Sequence, residues 1–254
     1  MPENTRREKI WITAYIAVEL LLLIAAKICE SAGTGHTESI VKFSAIVCNT
    51  IVAAYYYIKY GRRKSHPGTS RKSLQSNDAK SCDFSTESLN ITSAANNLIA
   101  YGLFCTVVGD FFLTLISTEK YYLPGIVMFC AAELLYMIYL RPSRITVVST
   151  CILLAATMIS LIKLRLLTVV TFFGALDIVL ILINTISAWA SRSARAPHLF
   201  RIGITLFLCC DVSLMLRTIS SGALYQLTDW LFWTCYAPSQ VLITLAYIRD
   251  SRTL

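Results

Sequence analysis

This chain of 254 residues has few of the side chains that form the active sites of soluble enzymes. Only 15% of its residues are charged, and it contains three histidines. No Cys-x-x-Cys pair occurs among its cysteines, and the histidines stand apart, so no metal-ligand spacing is present. The Gly-x-Ser-x-Gly, phosphate-binding glycine-loop and His-Glu-x-x-His motifs are missing as well. We therefore expect no bound metal and no other cofactor.

Long apolar runs dominate the sequence instead. Hydrophobic residues make up 56% of the chain, and a helix needs about 20 mostly apolar residues to cross a bilayer. Because the runs lack polar alternation, they do not resemble the strands of a membrane barrel. The predicted spans are residues 11–28, 39–58, 97–117, 121–140, 145–162, 166–188, 199–219 and 228–248. The sequence thus predicts an all-α integral membrane protein, an eight-helix transmembrane bundle in one domain over residues 1–254.

The basic residues are distributed unevenly over the two sides of this bundle. If the amino terminus is cytoplasmic, most of the 23 Lys and Arg residues face the cytoplasm. Such an excess is typical of cytoplasmic loops, which predicts that both termini are cytoplasmic. The net charge of +8 then fits anionic lipid head groups better than nucleic acid. We expect membrane lipids as partners and no nucleic acid.

One long polar segment interrupts the apolar runs. Residues 61–96 are rich in Ser, Lys and Arg, include the turn signal Pro67-Gly68 and show no apolar periodicity. This composition indicates a disordered cytoplasmic loop.

The first span does not resemble a cleavable secretory signal, which bears on the localisation of the protein. No small-residue cleavage pattern of a secretory signal occurs before the second span. With its cysteines interpreted as reduced, the chain fits an internal membrane, the endoplasmic reticulum if the source is eukaryotic.

Two aspartates occupy equivalent positions in apolar stretches that look like copies of each other. The first stretch reads GLFCTVVGDFFL from Gly102 and the second GITLFLCCDVSL from Gly203; they contain Asp110 and Asp211 at the same offset. An acid within a membrane span is costly and is a functional hypothesis by default. Because helices 3 and 7 run in the same direction, the repeat predicts two parallel four-helix halves with their acids at similar depth.

Four further polar side chains lie at depths where they could line a cavity with these aspartates. At 1.5 Å per residue, Tyr236 lies near the level of the aspartates, and Glu133 and Gln240 lie deeper. Lys42 lies near the non-cytoplasmic surface. The sequence therefore predicts a polar cavity that opens toward that surface.

Each of these groups also has a structural interpretation. Either aspartate could be bonded to a neighbouring helix, and Glu133 could be the counter-ion of Lys42. The phenol and the amide of helix 8 could be ordinary interhelical hydrogen-bonding groups. Glu19 and Asp177 lie in mid-span but lack the repeat, which favours structural roles for both.

Several of these residues resemble the signatures of the YhhN-like, transmembrane lysoplasmalogenase family. The first signature is similar to Gly109-Asp110 followed by AELLY at residues 132–136. The second is similar to Asp211 with YAPSQ at residues 236–240, and Lys42 matches the Lys of a Lys-Pro pair in helix 2. The family's eight-helix plan with cytoplasmic termini agrees too, and the resemblance covers nearly all of the chain outside the polar segment.

The chain departs from the family pattern at three positions. Glu133 stands where the family usually has His, Phe43 where it has Pro, and Cys210-Asp211 where it has Ser-Asp. The first change either removes a proton-handling group or replaces it with another acid. A catalytically inactive family member is therefore one alternative.

The resemblance implies hydrolysis of the vinyl ether bond of lysoplasmalogens, a lysophospholipid substrate, to a fatty aldehyde and a glycerophospho-base. Protonation of the β carbon gives an oxocarbenium ion that water captures at the α carbon. One protonated and one ionised carboxyl suit these steps, as in glycosidases, and we expect Asp110 and Asp211 to be this catalytic pair. Tyr236 and Gln240 would orient water or the glycerol backbone. Lys42 would meet the phosphate.

A proton-coupled transporter of small molecules or lipids is the alternative from another functional class. Two parallel halves with carboxylates at mid-depth suit a carrier. Against it, the spans lack the Gly and Pro interruptions of broken helices, for which Pro124 and Pro238 are the only candidates. Aldehyde release would distinguish the enzyme from the carrier.

Overall fold

The computed structural model describes residues 3–33, 35–61, 97–116, 119–190, 196–219 and 221–253. Within these ranges the chain forms eight helices, each with a segment long and apolar enough to cross a membrane, and no strand. The prediction of an all-α, eight-helix membrane protein is therefore confirmed. The cytoplasmic position of the termini stays a prediction. The predicted disordered loop lies outside the described residues, except for Gly61.

The helices are continuous because a chain in hydrocarbon must satisfy its backbone hydrogen bonds within each segment. They are α1 (Glu3–Ser31), α2 (Gly35–Gly61), α3 (Asn97–Ile116), α4 (Glu119–Leu140), α5 (Arg144–Lys163), α6 (Val169–Ala190), α7 (His198–Ile219) and α8 (Ala223–Thr253). Two of the short turns carry caps. The Ser143 hydroxyl accepts a hydrogen bond from the backbone N–H of Thr146 (3.2 Å) at the start of α5. Before α6, the Thr168 hydroxyl accepts from the N–H of Thr171 (3.1 Å), so both helix starts are satisfied.

The contacts between helices place the core around α4, α6, α7 and α8. The α7–α8 pair is the most extensive, followed by α4–α6 and α1–α2, and α2 also packs against α8. Among the elements whose contacts are described, α5 touches only α6, and none of its residues is buried. The polar residues of interest therefore lie on the inner helices, away from α5.

The two glycines of the internal repeat make equivalent close contacts. A methyl group at Gly102 would overlap the ring of Tyr136 on α4. One at Gly203 would lie 2.9 Å from Ile243 Cγ1 and 3.1 Å from the carbonyl oxygen of Ser239 on α8. Each glycine lets its helix approach the next helix of the chain, as small residues do in membrane bundles. The α3–α4 pair thus packs like the α7–α8 pair, in agreement with parallel halves.

The end of α3 changes its geometry directly after Asp110. Phe111–Ile116 form a π-helical turn, a rare geometry that frequently occurs at functional sites. This turn contacts both α2 and α4, and the ring of Phe111 lies 6.0 Å from that of Phe43. The acid therefore lies where α3 widens and meets two other helices.

Candidate active site

Asp110 is held by a tyrosine from the other half of the chain. The side chain is 4% exposed, and its Oδ2 accepts a hydrogen bond from the hydroxyl of Tyr236 on α8. The ring of Tyr236 stacks on Phe232 (5.9 Å between centroids) and packs against Phe207 of α7 (5.7 Å). Because these rings fix the phenol, its hydroxyl is directed at the carboxyl group.

Asp211 lies on α7 among other carboxyl groups. Those of Asp177 on α6, Glu133 on α4 and Asp110 on α3 are close enough to act on it electrostatically, and Asp177 acts most strongly. The Oδ2 of Asp211 is buried and has no hydrogen-bond partner among the residues that the structure describes. We call these four residues, Asp110, Glu133, Asp177 and Asp211, the acid cluster. The two aspartates predicted as the catalytic pair both belong to it.

Glu133 is completely buried and is bound by an amide. Nδ2 of Asn184 on α6 donates both to Oε2 of Glu133 (2.6 Å) and to its backbone carbonyl (2.8 Å). Lys42 instead pairs with Glu38, one turn earlier on α2. The interpretation of Glu133 as the counter-ion of Lys42 is therefore wrong. Because Asn184 is neutral, it does not cancel a negative charge on Glu133, which can therefore act electrostatically on the other acids.

Lys42 lies apart from the acid cluster, between α2 and α8. Besides pairing with Glu38, its ammonium group lies 4.3 Å from the centre of the Trp233 ring. A tryptophan face attracts a cation in this position. The lysine is thus fixed near one membrane surface, because the candidate span of α2 begins at Thr37.

Gln240 connects α8 to α3 beside the acid cluster. Its Oε1 lies 3.4 Å from the hydroxyl of Thr106, whose proton is shared with the closer carbonyl oxygen of Leu103 (2.8 Å). Thr106 lies one turn before Asp110 on α3, and Tyr236 lies one turn before Gln240 on α8, so the two contacts are stacked. The amide and the phenol therefore bridge the same two helices at successive levels.

A cavity of about 30 Å³ lies between α1, α2 and α8. Lys27, Lys42 and Trp233 line its outer end, and Asn49 and Gln240 line its inner end. The remaining wall residues are apolar except Thr234, and none of the four acids is part of the wall. Of the six predicted site residues, Lys42 and Gln240 line this cavity. The other four lie in the acid cluster or in contact with it.

The comparisons with known proteins give the family. The YhhN family model matches residues 85–247, which is more than half of the chain. This chain belongs to the YhhN family. No curated protein and no solved structure matches it. The part matched by the YhhN model contains α3 to α7 and most of α8, and hence the whole acid cluster. The family model does not match α1 and α2, which contain Lys42 and part of the cavity wall.

Asp177 is the member of the acid cluster that sequence reasoning missed. The sequence favours a structural role because no equivalent acid occurs in the other half, yet Asp177 acts on Asp211 more strongly than the other acids do. Its position in mid-span was the available signal. Glu19, interpreted in the same way, lies outside the acid cluster, near Tyr15, Cys48 and Asn49 of the α1–α2 interface.

The acid cluster is suited to proton transfer. Four carboxyl groups in an apolar interior cannot all be ionised, because both burial and like charges disfavour the charged form. Some members therefore carry protons that they can donate. Within the described ranges, no group of three or more His, Cys, Asp or Glu side chains is placed to hold a metal ion. The groups present provide general acids, general bases and hydrogen-bond donors.

Proposed function

We propose that this YhhN protein is a membrane-embedded hydrolase that cleaves the vinyl ether bond of lysoplasmalogens. The observation that carries the proposal is the acid cluster, in which Asp211 lies among three other acids, with Asp110 its weakest electrostatic neighbour, while Tyr236 donates a hydrogen bond to Asp110. The reaction needs one carboxyl that gives a proton and another that stabilises a cation and activates water. The resemblance of the sequence signatures to lysoplasmalogenases supports this substrate class.

The surroundings of the two aspartates favour a division of roles. Asp177 and Glu133 act on Asp211, and neighbouring negative charges favour a carboxyl that keeps its proton. We therefore assign the proton donor to Asp211. Asp110 accepts a hydrogen bond from a phenol, which offsets part of the cost of burying its carboxylate. We assign to it the stabilisation of the cation and the activation of water.

The proposed reaction balances with water as the only co-reactant. Asp211 transfers its proton to the β carbon, the C=C electron pair forms the new C–H bond, and the α carbon becomes an oxocarbenium ion. The oxygen of water bonds to the α carbon while a proton of that water passes to Asp110. The resulting hemiacetal breaks its C–O bond to glycerol: the leaving oxygen takes the proton from Asp110, and the hemiacetal hydroxyl returns a proton to Asp211. The products are a fatty aldehyde and a glycerophospho-base.

The depths of the polar groups fit a lysolipid whose head group stays at the membrane surface. The end of α3 and the beginning of α2 lie at the same face of the bundle. Asp110 lies six residues before Ile116, about 9 Å from this face, and Lys42 lies about 8 Å from it on α2. The vinyl ether is joined directly to glycerol, so the reacting bond and the phosphate enter at similar levels. We propose that the phosphate replaces Glu38 as the partner of Lys42.

Aldehyde release from a purified preparation tests the proposal. The protein in lipid nanodiscs is given a lysoplasmalogen, and the fatty aldehyde is measured by coupled reduction with NADH. We expect release by the unmodified chain and by Asp229→Asn, whose parent acid pairs with Arg217 (2.7 Å) outside the acid cluster. Asp110→Asn and Asp211→Asn should still insert but lose turnover, because an amide neither donates an acidic proton nor carries the charge. Full activity of either variant would reject the assigned pair.

The same preparation distinguishes the two alternatives. If the unmodified chain releases no aldehyde, proteoliposomes that show proton-coupled uptake would identify a carrier, and absence of both activities would identify an inactive family member. Pro124 and Pro238 lie inside the helices α4 and α8 and do not divide them into half-helices. Continuous helices favour the hydrolase over a carrier with broken helices.

An internal membrane such as the endoplasmic reticulum is the proposed location in a eukaryotic cell. The eight cysteines in the described part of the chain are all free thiols, as is usual in a reducing environment. Co-localisation of the tagged full chain with a marker of the endoplasmic reticulum tests this location, and a signal confined to the plasma membrane would reject it.

A further inference from the structure

The cavity between α1, α2 and α8 follows facing sides of two helices. Its wall on α2 runs from Lys42 to Asn49, and its wall on α8 runs from Trp233 to Gln240. Each pair is seven residues apart, which keeps both ends on one helix face and spans about 10 Å. The cavity therefore connects a cationic end near the membrane surface with an end formed by two amides inside the bundle.

The size and the polar groups of this cavity fit water. It measures about 30 Å³, and one water needs roughly 10–15 Å³ on this measure, so there is room for about two. A lysolipid head group is much larger. A buried water also needs two to four polar partners, which the ammonium group of Lys42 and the amides of Asn49 and Gln240 provide. Lys42 and Asn49 are already bonded to other residues, but each keeps a further N–H to donate. Lys27, Thr234 and apolar residues form the rest of the wall.

Gln240 belongs both to this cavity and to the surroundings of the acid cluster. Its side chain is 1% exposed, and its Oε1 lies next to the hydroxyl of Thr106. Its Nε2 has no acceptor in the part of the chain that the structure describes. A buried donor without an acceptor is costly, and a water in the cavity would accept its hydrogen bond. A water in that position lies about one helical turn from the contact between Tyr236 and Asp110.

We infer that this cavity is the route by which the hydrolytic water reaches the acid cluster from the membrane surface. The inference rests on the proposed hydrolase function, in which each turnover consumes one water that the hydrocarbon layer cannot supply. Water enters beside Lys27 and Lys42, is held by Asn49 and Gln240, and passes Gln240 to Asp110. There its oxygen bonds to the α carbon while its proton moves to the carboxylate.

Hydroxyl-radical footprinting of the full chain in lipid nanodiscs tests the route without any turnover. Radicals formed from bound water oxidise the side chains beside it. We expect oxidation of Leu23, which lines the cavity, and little oxidation of Leu21, which is 64% exposed on the outer surface of the same helix. Equal protection of both leucines would overturn the inference, because it would show a dry cavity.

Turnover provides the second measurement. Leu23→Trp fills the cavity and should lower kcat by about tenfold with little change in KM, whereas Leu21→Trp should match the unmodified enzyme. If Leu23→Trp does not fold, Ala45→Leu fills the same cavity from α2. A filled cavity that leaves kcat unchanged would overturn the water route.

The two proposals fail in different ways. Without aldehyde release by the unmodified chain, the proposed function is wrong and the water route falls with it, even if footprinting shows a wet cavity. Aldehyde release together with a dry cavity, or with a normal kcat in the filled variant, rejects the water route alone.

Discussion

Replacing Tyr236 by Phe removes one oxygen atom and tests the role of Asp110 closely. In the structure the hydroxyl donates to Oδ2 of Asp110, while the ring packs between Phe232 and Phe207. Phenylalanine keeps this packing, so the fold should persist and only the hydrogen bond should be lost. A hydrogen bond to a charged group contributes about 1.5–3 kcal/mol. If the carboxylate acts in the rate-limiting step, kcat/KM should fall by about 10- to 100-fold.

Tyr136→Phe is the matched control. Tyr136 is also fully buried, but its hydroxyl has no hydrogen-bond partner within the described ranges. Its removal should leave both aldehyde release and thermal stability unchanged or slightly improved, because no buried bond is broken. Steady-state kinetics on both purified variants, with thermal unfolding to verify the fold, make the comparison. Normal activity of Tyr236→Phe, or an equal loss in Tyr136→Phe, would refute the role given to the phenol.

Three further predictions concern packing, the head group and the missed acid. Gly102→Ala should lower the free energy of unfolding by about 1–3 kcal/mol, and with it the unfolding temperature, because the new methyl group overlaps the ring of Tyr136. Gly174→Ala is the control, since open space surrounds that glycine. Equal effects of the two substitutions would contradict the described packing. Lys42→Ala should raise KM for the lysolipid severalfold, and an unchanged KM would reject the proposed contact with the phosphate. Asp177→Asn should lower kcat, because it removes the acid with the strongest electrostatic effect on Asp211. An unchanged kcat with an unchanged pH dependence would show that Asp177 has only a structural role.

The sequence was sufficient for the helical plan because hydrocarbon leaves a chain little choice of structure. The length and composition of each apolar run predict a helix without any knowledge of its neighbours. Helix ends are less constrained: α8 begins at Ala223 rather than near residue 228. The π-helical turn after Asp110 depends on tertiary contacts with α2 and α4, and no local pattern marks it.

The candidate site was only partly predictable for a related reason. The repeat relates Asp110 to Asp211 and so predicts that they serve together, but it says nothing of acids outside the repeat. Whether Asp177 meets the acid cluster depends on how α6 is rotated about its axis, which composition does not determine. The interpretation of Glu133 as the counter-ion of Lys42 failed for the same reason, because depth along a helix does not show which neighbouring helix a side chain faces. Asn184, the partner of Glu133, carried no signal in the sequence beyond its polarity.

The most direct test of the central claim is a double-mutant cycle on the two aspartates. Aldehyde release is measured for Asp110→Asn, for Asp211→Asn and for the double variant under identical conditions. General acid or base catalysis contributes about 10²–10⁴-fold, and two groups that act in one reaction lose their effect together. If the two carboxyls share one catalytic centre, the double variant should be about as inactive as the worse single variant. Losses that simply multiply would show that the two carboxyls act independently and would contradict a shared catalytic centre.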